Sequence, residues 1–218
     1  EYDGDLDYTT AGKRPTSGYI PRFRNVYKQE TDFLRGYASN LSASRIVENA
    51  SDLVGESLKN SLLNQKLGNW HINVGMMGET IPKAHSTVRL DAQKKDKYGI
   101  PQLRVSIGYD ENDEKMLKDF HQQFTEMYSA AGFHNIQPID TKRLPGNENH
   151  EMGGVRMGRD PKTSMLNAFN QLHHCKNVFV TDGSCMTSTS TQNPSLTYMA
   201  LTARAVDYAM KERKKLNL

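Results

Sequence analysis

Two stretches of the sequence carry side chains that could move a proton or hold an anion. His150 opens a glycine- and methionine-rich segment, His-Glu-Met-Gly-Gly-Val-Arg-Met-Gly, over residues 150–158. An imidazole titrating near its ordinary pKa of about 6.5 can take a hydroxyl proton at neutral pH, so His150 is a candidate general base. A lone loop histidine is more often one satisfied by backbone groups, and that reading stands beside the first. The second stretch runs from Asp182-Gly183, which ends an apolar segment, to Asn193-Pro194-Ser195, which opens a helical pattern. Asn193 suits the N-cap and Pro194 the first helical position. A helix opening there offers unpaired N–H groups and a positive dipole end to negative charge. The Asn193 amide can also donate to an alcohol oxygen, although it cannot act as a base at ordinary pH.

His173-His174-Cys175 invites a metal reading. No Cys-x-x-Cys or second ligand pair follows at a usual zinc spacing, so the expectation is no metal site and a turn before a strand. A small zinc hydrolase built on these three residues is the weakest functional reading.

The elements that must position these residues follow from periodicity and punctuation. Residues 1–17 are polar and turn-rich, an irregular arm. Tyr19 to Tyr27 alternates apolar and polar residues as a half-buried strand does, with Pro21 favouring an edge. Trp70–Val74, Ser86–Leu90 and Gln102–Tyr109 are further strand candidates, and the charged stretch from Asp91 to Pro101 suits a hairpin connection. A helix is expected from Asn112 to Ala131, with Leu117, Phe120, Phe124 and Met127 on one face, covering the sheet, and Gly132 at its end. After a loop containing Pro138, Pro145, Gly146 and Asn147 the composition changes at His150. Asn177 to Thr181 reads as a strand buried on both faces, and Leu196, Met199, Ala203, Val206 and Met210 mark a last helix.

Composition narrows the function classes. The sequence has 218 residues with 36% hydrophobic and 24% charged, which fits one globular domain or one with a piece of another. A net charge of +3, spread along the chain, gives no basic stripe for nucleic acid. No apolar run reaches the roughly 20 residues that span a bilayer. The acidic start, Glu-Tyr-Asp-Gly-Asp, lacks the features of a secretory signal and looks like the middle of a protein. Two cysteines, Cys175 and Cys185, leave either redox compartment open.

No Gly-x-Gly-x-x-Gly occurs, because Gly153, Gly154 and Gly158 have other spacings and follow a loop. Three ordered motifs nevertheless resemble the C-terminal signature of the glucose–methanol–choline (GMC) oxidoreductases: residues 150–161, Asn177 to Ser184, and Asn193 to Ala205. Val88-Arg-Leu-Asp91, Tyr98-Gly-Ile-Pro101 and the helix ending at Ala131-Gly132 resemble that family's substrate domain. Pro21 to Asn25 and Asp32 to Gly36 look closest to its gluconate and glucoside dehydrogenase branch. The resemblance implies an α+β fold: a mainly antiparallel substrate-domain sheet backed by helices, plus the last strand and helix of an α/β FAD-binding domain. The expected division is an arm at 1–17, a substrate-binding domain at 18–148, and a catalytic-histidine segment with the closing flavin-domain elements at 149–218.

It further implies an FAD-dependent enzyme oxidising an alcohol group of a sugar or polyol by hydride transfer to flavin N5. His150 would be the base and Asn193 the second active-site residue, with Asp182, Gly183, Asn193, Pro194 and Ser195 against the cofactor. In that context the chemical reading of His150 is preferred to the bland one. Arg156 and Arg204 are expected in structural ion pairs, and Met152, Met157, Met165 and Met186 in packing around the flavin layer. Expected partners are the missing N-terminal FAD-binding half and, from the closer branch, cytochrome c and a small accessory subunit, with a periplasmic location favoured and a cytoplasmic one open. Oxygen, quinone and cytochrome all remain open as electron acceptor. The competing reading is a non-catalytic binding or assembly subunit without its own cofactor.

Overall fold

The computed structural model describes residues 1, 17–47, 52–64, 67–141, 144–146 and 149–218. Between Glu1 and Ser17 the expected arm lies outside the described residues, as does Asn147 of the expected loop. The fold is α+β, with three helices and small antiparallel sheets among the described residues. The chain divides into two units, one formed by Glu1–Gly78 with Glu114–Asp140, the other by Glu79–Asp113 with Thr141–Leu218.

In the first unit, β1 (Ser17–Ile20), β2 (Tyr37–Val47) and β3 (Leu67–Gly78) form an antiparallel sheet in that order. The short helix α1 (Gly55–Leu63) buries none of its residues. Most of α2 (Glu111–Ala130) belongs to this unit. Met116, Phe120 and Phe124 recur every four residues on one α2 face and are buried with Phe33 and Tyr37, while Ile20, Val74 and Met76 pack against them from the strands. The expected helix covers a sheet, but of the three strands expected in it only Trp70–Val74 belongs there, Ser86–Leu90 and Gln102–Tyr109 lying outside it, and Met127, expected on the buried face, is exposed. Gly132, at φ 86°, turns the chain away just after α2. Tyr37 donates to Asp119 Oδ2 at 2.6 Å, and Arg24 grips the same carboxylate at 2.9 and 3.0 Å. Burial, and then the Asp119 carboxylate, push the Tyr37 hydroxyl well above its ordinary pKa.

The strand expected through Tyr27 stops at Ile20. Pro21 has no N–H to continue the ladder, and the chain instead folds around Asn25. The Asn25 side chain lies within 2.7–2.9 Å of Thr31 Oγ1 and the Phe33 and Arg35 carbonyls, and its oxygen accepts from the Glu30 and Thr31 amides. Its φ of 50° is one an asparagine tolerates.

In the second unit, β4 (Thr87–Lys95) and β5 (Pro101–Ser106) pair as a hairpin. Its turn is closed by Asp96 Oδ1, which accepts from the Tyr98 and Ile100 amides at 2.8 and 2.9 Å. A second hairpin joins β6 (Gln171–Leu172) to β7 (Cys175–Phe179), with His173-His174 in the turn. Lys176, Asn177 and Val178 are exposed, so β7 is not covered on both faces: it pairs with β6 alone among the described residues. The last helix, α3 (Ser195–Lys214), starts two residues after Asn193.

Candidate functional site

All the candidate site residues fall in the second unit. The strand end after β7 is shaped by Asp182. Its carboxylate accepts from the Ser184 amide at 2.8 Å and from the Ser184 hydroxyl, capping a single 3₁₀ turn at Gly183–Cys185. The segment that His150 leads is laced onto this turn. Val155 N–H donates to the Ser184 carbonyl at 3.2 Å, and Met157 N–H to the Cys185 carbonyl at 2.9 Å. A Cβ on Gly183 would lie 3.0 Å from the Glu151 carbonyl oxygen and 3.1 Å from the Met152 side chain, so the two segments approach so closely that any larger residue would make one of them shift. Gly153 and Gly154, at φ 89° and 91°, make the double left-handed bend that brings the segment round.

His150 is half-buried and Asn193 is exposed. Neither side chain makes a hydrogen bond with another described residue, so the structure joins their segments to the same unit without linking the two side chains. Asn193 does not cap α3 with its side chain: the first turn closes on the Pro194 carbonyl, which receives the Thr197 and Tyr198 amides at 2.9 and 3.2 Å, and no side chain caps it. The amides of Ser195 and Leu196 stay at the open end of the helix. Asn193 stands free of capping, so its amide is available for another oxygen.

The body of α3 is fixed beside β7. Tyr208 stacks on Phe169, with ring centroids 4.1 Å apart and planes 5° from parallel, and packs edge-on against Phe179. Thr202 donates to the Thr181 carbonyl at 3.3 Å. Behind them Cys185 and Asn170 are buried, and Asn170 ties down the end of the β7 segment by exchanging hydrogen bonds with Val180 at 2.9 Å in both directions. Burial pushes the Cys185 thiol pKa up, a core cysteine and not an activated one.

One expectation is corrected. Arg156 donates to the Thr163 carbonyl at 2.9 Å, and Arg204 reaches Met157 Sδ at 3.8 Å, so neither pairs with a carboxylate among the described residues. Met165 is more than half exposed, and of the four methionines Met152 makes the close contact, against Gly183. His173 turns its Nε2 to Ser164 Oγ at 3.1 Å. Sequence reasoning missed one participant, the buried Glu79, whose carboxylate accepts from Ser188 Oγ. A glutamate after a Met-Met-Gly run carries no periodic signal of burial.

The donor set fits a flavin. The N-terminus of α3 leaves the Ser195 and Leu196 amides unpaired, Asn193 adds a neutral amide beside it, and no acidic residue stands in the first turn, a set of donors suited to an electron-rich ring.

Residues 82–202 match the family model for GMC oxidoreductase. The chain is 37% identical to 2-methyl-1,2-propanediol dehydrogenase of Mycolicibacterium austroafricanum, over 66% of this chain and 26% of that protein. It is 30% identical to the fructose dehydrogenase large subunit of Gluconobacter japonicus, over 63% of this chain and 25% of that one. Against the gluconate 2-dehydrogenase flavoprotein of Pantoea cypripedii the identity is also 30%, over 62% and 23%. Among solved structures, pyridoxine 4-oxidase from Mesorbium loti aligns over 82% of this chain and 34% of that one, with 16% identity and a TM-score of 0.41. The chain thus spans about a quarter of the length of the curated relatives it matches.

Proposed function

The chain belongs to the GMC oxidoreductase family, and on that premise we propose that it is the C-terminal part of an FAD-dependent dehydrogenase acting on an alcohol group of a sugar or polyol. Residues 18–148 serve as the substrate-binding part; residues 149–218 supply the catalytic histidine and the closing strand and helix of the FAD-binding domain. The observation that carries this reading is the lacing of the His150 segment onto the Asp182–Cys185 turn through Gly183.

Bound FAD would supply the hydride acceptor. His150 takes the hydroxyl proton as the alcohol carbon loses its hydride, and its half-burial shields it without removing it from the site. Asn193 donates its amide to the substrate oxygen and orients the alcohol. Asp182, Gly183, Pro194 and Ser195 line the cofactor, and the Ser195 and Leu196 amides face its electron-rich ring.

Diol, fructose and gluconate appear in the names of the three relatives, which supports a polyhydroxy substrate. The Gluconobacter relative is described as a large subunit, which fits a small accessory subunit here, with cytochrome c as electron partner and a periplasmic location as the closer branch implies.

The test is flavin absorbance and anaerobic flavin reduction in the protein carrying this chain together with its flavin-binding half. The expected outcome for His150→Ala is that flavin stays bound while reduction by substrate slows by about two orders of magnitude or more. Near-normal reduction would remove His150 from the mechanism. Absence of flavin from the wild type would favour a non-catalytic assembly subunit.

A further inference from the structure

Glu79 directly follows β3 and is only 5% exposed, although nothing in the proposed chemistry uses it. A buried carboxylate is kept where a partner compensates its lost hydration. Its Oε1 accepts the Ser188 hydroxyl hydrogen, and Ser188 Oγ in turn accepts from the Ser190 amide at 2.8 Å. Ser190 sits in the left-handed region, at φ 56°, a conformation a serine holds only where its surroundings impose it. The same turn is closed from its other end. Thr189 Oγ1 donates to the Gln192 carbonyl, the Gln192 amide donates back to the Thr189 carbonyl at 3.3 Å, and Thr191 is buried. The next residue is Asn193, followed by Pro194, whose carbonyl starts α3. The stretch from Thr187 to Gln192 contains no glycine or proline that would fix this turn by local preference.

We propose that Glu79 is a positioning residue of the alcohol site. Its buried carboxylate holds the 188–192 turn through Ser188, and the turn sets the direction in which Asn193 and the first amides of α3 face. The inference rests on the reading of Asn193 as the residue that orients the alcohol. Glutamate suits this role better than an apolar side chain, because it gives Ser188 an acceptor oxygen that both fixes the hydroxyl rotor and leaves the Ser188 lone pair turned toward Ser190 N–H. Glutamine keeps an acceptor oxygen at the same reach, so it is the conservative replacement.

The experiment uses the flavin-loaded protein and its Glu79→Ala, Glu79→Gln, Ser188→Ala and Asn193→Ala variants. Hydrogen–deuterium exchange is followed in the peptide covering residues 186–194. Anaerobic flavin reduction is followed with D-fructose, D-gluconate and 2-methyl-1,2-propanediol. Exchange in that peptide should rise by about tenfold or more in Glu79→Ala and Ser188→Ala, and stay within about threefold of wild type in Glu79→Gln. With whichever of the three compounds reduces the wild-type flavin fastest, the limiting reduction rate should fall about tenfold in Glu79→Ala, with Glu79→Gln restoring it. The Asn193→Ala change should add less than about threefold in the Glu79→Ala background. Unchanged exchange in both Glu79→Ala and Ser188→Ala overturns the proposal. So does lost protection with the reduction rate kept within about twofold, which would leave Glu79 a purely structural anchor. Should Glu79→Ala not fold, Ser188→Ala carries both readouts. A normal rate in Asn193→Ala with a slowed Glu79→Ala would instead sink the reading of Asn193, and the exchange data would still decide whether Glu79 holds the turn.

Discussion

Gly183 has no left-handed backbone to account for it, so its reason is space. A methyl group there would press on the Glu151 carbonyl oxygen at 3.0 Å, and this neighbour is backbone that cannot swing aside as the Met152 side chain can. Gly183→Ala should therefore cost about 1–3 kcal/mol in denaturant unfolding, the usual range for overpacking. It should also displace the segment that His150 leads and slow flavin reduction. A variant as stable and as fast as wild type would show that the close approach at Gly183 has no bearing on the site. The same position shows what the sequence reveals and what it hides. Asp182-Gly183 is legible as the end of a strand because Asp and Gly stop ladders. That the glycine receives the His150 segment depends on residues some thirty positions earlier, and no local pattern encodes such a meeting. Asn193 makes the complementary point. The Asn-Pro-Ser order marks a helix start, but it does not reveal that the first turn closes on the Pro194 carbonyl with the Asn193 side chain left out of capping.

At the scale of elements, α2 is the most legible because its apolar residues repeat at helical spacing and its end is marked by Gly132. β2 is the least, since Tyr-Ala-Ser-Asn-Leu-Ser-Ala-Ser has few branched or aromatic residues. It becomes a strand because β1 and β3 pair with it on either side, a tertiary effect stronger than local preference. The start of α2 is held by charge as well as packing. Lys83 reaches Asp110 at 2.7 Å and Asp113 at 3.4 Å, and the lysine and Asp113 side chains are only 13% and 12% exposed. The Lys83 hydrogen bond, helped by local amides, lowers the Asp110 carboxyl to about 2. A carboxyl depressed in this way, from an ordinary value of about 3.9, contributes stability that is fully present above about pH 4 and is lost as pH falls through about 2. Lys83→Met should thus melt a few degrees below wild type at pH 7, on the order of 2–4 °C. The gap should narrow steadily between about pH 4 and pH 2 in scanning calorimetry. A gap independent of pH across that window would mean that lost packing of the lysine stem, and not the ion pairs, is what the variant reports.

For the whole molecule, the decisive feature is apolar surface that the chain folds but does not cover. In the β4–β5 hairpin Val88 pairs with Val105 and Leu90 with Leu103, so these four side chains share one face, and each is 56–68% exposed. A two-stranded hairpin is marginal in water and needs its apolar face packed against something. Along α3, Met199, Val206 and Met210 form a similar stripe, each about half exposed or more, and Ala205 is the residue of that helix that is buried. Amphipathic patterning predicted both elements correctly as elements, because spacing is a local property. It also led to the expectation that β7 is covered on both faces, because a sequence specifies an apolar face without specifying whether the covering segment lies in the same stretch. Contiguous apolar surface of this kind drives association. This polypeptide, purified alone, should therefore show a sedimentation coefficient that rises with concentration. Leu90→Glu together with Leu103→Glu should reduce that rise without unfolding the first unit, since a glutamate pair placed directly across the strands both hydrates the face and repels a second copy. If the wild type sediments as a monomer at its highest soluble concentration, the hairpin face is satisfied within the chain, and the need for a covering partner there falls away.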